Sequence, residues 1–237
     1  MAPPACPKDK GISAREAAAL DNTNDRAIFW TMGRGADTRQ VILGRAAQVA
    51  SLVGLEGLTI GGLAEDLELS KSGLFAHFQS KEALQVETLR FTAQLFIDSV
   101  IRPALKARRG EPRVRALFER WLEWGRADVL EGGCLFVAAS TELDDREGPA
   151  RRELVRQQKE WLGLLSTVAG SAVTEGHFRS KLDTEQFAHD VYGVMLAWHH
   201  ARRLLHDPRA EARARRAFEA LVLAARPPRK LRTPAAS

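Results

Sequence analysis

The chain has 237 residues, of which 45% are apolar and 27% charged, with a formal net charge of +5. These are the proportions of an ordinary globular protein, long enough for a small domain joined to a larger one. No apolar run reaches the ~18 residues of a membrane span, and the N-terminus lacks the charged-then-apolar pattern of a secretory signal. Cys6 and Cys134 are too few for a disulfide framework and show no metal-ligand spacing, so a reducing cytoplasm and no membrane partner are expected. The charge is uneven: Thr38 to Arg90 carries a net −1 and Ala201 to Ser237 a net +7. A nucleic-acid reading therefore has to rest on pattern, not on bulk charge.

Residues 1–37 hold scattered Pro, Gly, Asn and Asp with no sustained period, the composition of a disordered extension. Met32, followed by a short basic arm, is a candidate translation start. From Thr38 the pattern turns helical. Ile42, Ala46, Val49 and Val53 mark an inward face, Thr38 caps its start and Gly54 stops it. Thr59 caps a second helix with Ile60, Leu63, Ala64 and Leu67 turned inward. Ser70 caps a third and Ser80 a fourth, whose first turn holds Glu82 at the positive end of the helix dipole. That fourth helix runs from Lys81 towards Ala107, and Pro103 is expected to bend it or end it early.

Further helices are expected over Arg113 to about Leu130, Cys134 to about Leu143, and Pro149 to about Gly176, with Pro149 suited to a first turn. Asp183 or Thr184 caps the next, with Phe187, Val191, Val194, Trp198 and Leu205 on one face. Asp207-Pro208 opens the last, with Ala214, Phe218, Leu221 and Ala225 inward. No segment alternates with a period of two and there is no internal repeat. The expected class is all-α, with about nine helices: a helix-turn-helix domain at 38–84, a larger helical domain at 85–226 and a basic, disordered tail at 227–237.

The segment SKSGLFAHFQSKEAL (70–84), following TIGGLAEDL (59–67), carries the chemistry. Two short helices joined by a tight turn make no core of their own, but they can hold one exposed helix for insertion into a DNA groove. Ser70 satisfies the orphan amides at the start of the third helix, and Lys71 and Ser72 lie at its leading end, where side chains reach base edges or phosphate. Gly73 permits close approach to the duplex or to a partner helix, while Leu74 and Phe78, one turn apart, anchor the helix.

Thr59, Leu63, Ala64, Leu69, Ser70, Gly73, Leu74, His77, Phe78, Ser80, Lys81, Glu82 and Leu84 together resemble the DNA-binding domain of the TetR family of bacterial transcriptional regulators. The resemblance implies a DNA-contacting set of Thr59, Ser70, Lys71, Ser72, Gly73, Phe75, His77 and Lys81, with His77 and Lys81 on phosphate. It implies a homodimer paired through about Thr184 to Ala225, and an unidentified small-molecule effector among the helices between about Arg113 and Trp198. The implied function is a ligand-responsive repressor on a palindromic operator; an activator, or a helical adaptor that no longer binds DNA, are the alternatives. Four positions depart from the family pattern. Phe75 replaces the usual Tyr and loses a phosphate-seeking hydroxyl. Glu68 sits where Gly is common and a positive φ is tolerated. Gly61 and Gly62 weaken the second helix by ~1 kcal/mol each.

For the effector site, Trp121, Trp124, Cys134, Trp161, Tyr192 and Trp198 are the candidates, set against plain core packing for the aromatics and an inert buried thiol for Cys134, which lacks a basic partner. His199, His200 and His206 have no acidic or Cys partner at helical ligand spacing, so no metal is expected. Arg209, Arg213 and Arg216 read as a solvated stripe. Glu185 and His189 share a face without a third partner, and no phosphate loop or nucleophile elbow is present. Neither enzymatic activity nor a cofactor is expected.

Overall fold

The computed structural model describes residues 38–126 and 129–228. The expectations for residues 1–37, Met32 included, and for the last nine residues of the tail lie outside these. Among the described residues the chain is entirely helical.

Helix α1 (Thr38–Gly57) turns Ile42, Leu43, Ala46, Ala47 and Ala50 into the core. Thr38 is its first helical residue instead of a cap before it. Val49 is half-buried, and Val53 is 57% exposed, because the inner face follows the alanines that let α1 lie close to its neighbours. The regular run breaks at Gly54 (φ 80), where a Cβ would stand 1.8 Å from the Glu142 carboxylate, and one more turn follows. Helix α2 (Ile60–Asp66) is capped by Thr59, and α3 (Lys71–Phe78) by Ser70. Leu63, Ala64, Leu74 and Phe78 are buried in the core that α1 shares, with Ile60 and Leu67 half-buried beside them.

Helix α4 (Lys81–Phe96), capped by Ser80, continues through a π turn (Ile97–Ile101) into α5 (Arg102–Leu105). Pro103 thus neither ends the rod early nor stands without compensation. It lacks the N–H that would bind the carbonyl four residues back, and the wider turn beside it lets Arg102 N–H donate to the Ile97 carbonyl instead. Taken as one rod, this makes nine helices among the described residues, with α6 (Glu111–Arg126), α7 (Leu135–Leu143), α8 (Pro149–Thr174), α9 (Thr184–Arg203) and α10 (Ala210–Ala225). Helix α6 starts two residues before, and ends four residues short of, its sequence limits. Its first amide, Glu111 N–H, donates to His177 Nδ1 (3.2 Å), and Gly110 (φ 92) leaves room for that ring.

Asp183 caps α9 by accepting from the Glu185 and Gln186 amides. Phe187, Val191, Met195 and Trp198 face inward, whereas Leu205 lies past the helix end and is 61% exposed. Trp198 packs over Gly125 of α6, where a Cβ would approach it to 2.5 Å. Helix α10 is fastened to α6 by a parallel stack of Phe118 on Phe218 (3.9 Å between centroids). Ion pairs flank the stack: Arg115 with Glu219 (2.6 Å), Arg126 with Glu211 (2.9 Å), Arg226 with Glu111 (2.5 Å), and Arg215 with Glu119.

Candidate nucleic-acid interface and cavity

The exposed surface of the head is built by local rules. Ser70 Oγ accepts from Gly73 N–H (3.1 Å) and Thr59 Oγ1 from Gly62 N–H (3.0 Å), so both short helices begin with a satisfied amide. Leu74 and Phe78, fully or nearly fully buried, pin α3 from beneath. Lys71, Ser72, Gly73, Phe75, Ala76 and His77 then face solvent as one continuous strip. Lys71 rests an exposed ion pair on Glu65 (3.2 Å), its stem lying over Gly61. Phe75 is 54% exposed, an aromatic ring held out into water. Gly73 has only its own cap, Ser70 Oγ, near a Cβ position, so its open side is toward solvent and not toward another helix of the chain. Glu68 takes φ 55 in the turn between α2 and α3, and Gln79 φ 61 just after α3.

Lys81 is engaged within the head. Its ammonium is turned from the α3 strip and donates to the Glu56 carbonyl (2.6 Å), with the Glu56 carboxylate 3.5 Å away. The end of α1 leaves that carbonyl without a helical partner, and Lys81 supplies one. Other cations of the head are engaged too: Arg39 with Glu87 (3.3 Å) and over the Phe78 ring, and Arg45 with Asp66. From Thr38 to Arg90 five Lys or Arg stand against six Asp or Glu, and these pairs hold most of the head's cations on its own acids.

Behind the head lies an apolar cavity of about 110 Å³. Trp121, Cys134, Trp161 and Tyr192 line it. Trp124 and Trp198 do not; they stand one layer back, edge-on to Phe96 (5.5 Å) and to Trp121 (5.5 Å) respectively. The lining that the sequence did not single out comes from Phe96, Ile97 and Ile101 of the α4 rod, Phe136 and Val137 of α7, and Gln157 and Gln158 of α8. Tyr192 O–H donates to Gln158 Oε1 (2.8 Å), and burial pushes the phenol up to about 12. Burial also pushes the Cys134 thiol up, with the Val137 amide and the Trp124 indole only partly offsetting it, so the sulfur is a protonated wall group. His199 is half-buried, with its Nε2 enclosed and unpartnered among the described residues; burial, with Arg203 and Arg202 beside it, pushes it down to about 4. Among the described residues no three His, Cys, Asp or Glu side chains are grouped to hold a metal ion.

Two structures join cavity to head. The α4 rod supplies cavity wall and begins at Lys81, three residues after α3; at 1.5 Å per residue the wall residue Ile97 is ~24 Å from Lys81 along the rod. The second is the loop before α7. Gln48 of α1 clamps it, donating to the Val129 carbonyl (2.6 Å) and accepting from Glu131 N–H (3.1 Å), while Gly132 N–H donates to Ser51 Oγ (2.9 Å). Two residues on, Cys134 is cavity wall. Sequence reading passed over Gln48 and Gly132 because their partners lie about 80 residues away.

The comparisons with known proteins agree with this architecture. Residues 42–88 match the family described as bacterial regulatory proteins, tetR family, and residues 110–218 match the tetracyclin repressor-like C-terminal domain. Together these spans cover more than half of the sequence, and the chain belongs to the TetR family of bacterial transcriptional regulators, DNA-binding proteins and not enzymes. No curated protein matches it in sequence. The fold is similar to a TetR-family regulator from Cytophaga hutchinsonii (TM-score 0.71, 19% identity, covering 81% of this chain and 96% of that one). It is also similar to one from Chloroflexus aurantiacus (TM-score 0.70, 20% identity, 78% and 92% covered). AibR, solved in complex with isovaleryl coenzyme A and operator DNA, superposes with a TM-score of 0.61 at 21% identity, covering 81% of this chain and all of that one.

Proposed function

We propose that the protein is a ligand-responsive, sequence-specific repressor that binds a palindromic operator as a homodimer. The observation that carries this reading is the solvent-facing strip of α3, Lys71 to His77, fixed from below by Leu74 and Phe78 and capped by Ser70. Lys71 and Ser72 lead into the major groove and read base edges, and His77 meets phosphate. Phe75 offers an apolar face suited to a thymine methyl group. Ser70 and Thr59 hold amides at the helix starts where phosphate is favoured.

One strip makes too few base contacts to outcompete genomic DNA, so two copies are needed. Support for pairing through α9 and α10 comes from small and apolar side chains left facing solvent there: Gly193 and Ala197 on α9, and Ala217, Ala220, Leu223 and Ala224 on α10. Close helix packing of this kind suits an isologous four-helix contact. The cavity holds the effector, and the α4 rod with the Gln48-clamped loop carries its effect to the head. A ligand that favours the state with misplaced heads lowers operator affinity by its differential binding to the two states, and by no more. The protein acts in the cytoplasm, where the operator is.

Selection from random DNA duplexes tests the reading. Two inverted half-sites about one helical turn, ~34–36 Å, apart are expected, and Lys71→Ala or Ser72→Ala should change the preferred bases. Recovery of no sequence, with binding that shows no salt dependence, would instead identify a helical adaptor.

A further inference from the structure

The walls of the cavity are mostly apolar, with polar groups supplied by Gln157, Gln158 and Glu160 of α8 and by Tyr192 and Trp161. On α8, Gln157 and Trp161 stand one helical turn apart, on the same face. Gln157 donates its amide N–H to Glu153 Oε1 (2.7 Å), and Glu153 is held as a carboxylate partner by Arg156 (2.5 Å) and Arg90 (3.5 Å). A carboxylate only accepts, so the amide orientation is fixed and Gln157 Oε1 is turned the other way. That oxygen and Trp161 Nε1 are both buried, and neither has a hydrogen-bond partner among the described residues. The remaining polar groups of the wall are satisfied: Tyr192 with Gln158 (2.8 Å), and Glu160 with Arg156 (2.5 Å). No Lys or Arg stands among the described residues that line the space, so an anionic group would enter without a counter-charge and lose its hydration.

We propose that the cavity takes an uncharged, single-ring apolar molecule carrying a hydroxyl group, a phenol or a cyclic alcohol, whose oxygen accepts from Trp161 Nε1–H and whose proton goes to Gln157 Oε1. A hydroxyl is the smallest group that donates and accepts from one atom, and it answers both orphaned wall atoms at once. The volume of about 110 Å³ is on the scale of the ~150 Å³ cavity known to admit benzene. Phe96, edge-on to Trp161 (5.1 Å) and to Phe136 (6.0 Å), gives the ring an aromatic wall. The buried Cys134 thiol offers no thiolate, so binding is reversible and non-covalent. This inference rests on the effector-cavity reading above and narrows it to a ligand class.

Calorimetric titration of the full-length protein with 4-methylphenol, toluene and 4-methylbenzoate, in the absence of DNA, tests it. The phenol should bind at least about tenfold more tightly than toluene, the ratio for one satisfied buried pair, and the benzoate should not bind. In Gln157→Leu and, separately, in Trp161→Phe, the phenol-to-toluene ratio should fall toward one while toluene still binds, which also reports an intact cavity. Equal binding of phenol and toluene, preference for the benzoate, or no binding of any probe would each overturn the proposal. Duplex selection is performed without any probe, so loss of the ligand inference and loss of the DNA-binding reading show up in different experiments.

Discussion

Lys81 has a structural task that its place in the family pattern does not announce. It stands at the position matched to a phosphate contact, and its ammonium binds the Glu56 carbonyl at 2.6 Å, tying the start of α4 to the end of α1. Lys81→Ala is therefore expected to lower the melting temperature while leaving the salt slope of operator binding unchanged. A slope reduced by about one unit would return Lys81 to the phosphate set. Glu111 gives a second prediction at this scale. The hydrogen bond from Arg226, joined by Arg115 and opposed by burial, holds its carboxyl at about 2, against an ordinary 4.5. A depressed carboxyl contributes stability that is complete above its unfolded value and is lost as pH falls through the folded one. Wild type should lose roughly 1–3 kcal/mol more than Glu111→Gln between about pH 5 and pH 2, read from denaturant unfolding at each pH; parallel profiles would contradict it.

At the scale of elements, the caps were legible because they are local: Thr59, Ser70, Ser80 and Asp183 each accept from an amide two or three residues on. The stop at Gly54 and the positive φ of Glu68 were legible for the same reason. What the sequence hid depends on distant partners. Val53 and Leu205 share the spacing of buried residues but are left mostly exposed, and Pro103 is absorbed by a π turn that no local rule announces. The loop before α7 is the clearest case. A Cβ on Gly132 would lie 1.6 Å from the Ser51 carbonyl oxygen, so Gly132→Ala must push the loop off α1 and should destabilise the protein by about 1–3 kcal/mol. Gly163→Ala on α8 meets nothing within 4 Å and should stabilise by up to about 1 kcal/mol. Thermal unfolding of the two variants checks the pair; a harmless Gly132→Ala would mean the loop is not docked as described.

For the molecule as a whole, composition pointed the wrong way and pattern the right way. The excess basic charge lies after Ala201, away from the head, while Arg115, Arg126, Arg215 and Arg226 lace α6 to α10 through Glu219, Glu211, Glu119 and Glu111. The head that faces DNA spends most of its cations on its own acids. On the proposed reading, affinity comes from doubling the α3 strip, since each strip alone offers few base contacts and little positive charge. In the cavity, four of six aromatic and thiol candidates were legible because large apolar residues on helical spacing face inward. Gln157 was not, because its free oxygen is defined by Glu153 and Arg156 holding the other end of the amide. Titration of the selected duplex, before and after lengthening its spacer by about half a helical turn, ~5 base pairs, tests the doubled strip most directly. The account predicts that affinity falls by ~100-fold or more, because one half-site is rotated out of reach; unchanged affinity would contradict it.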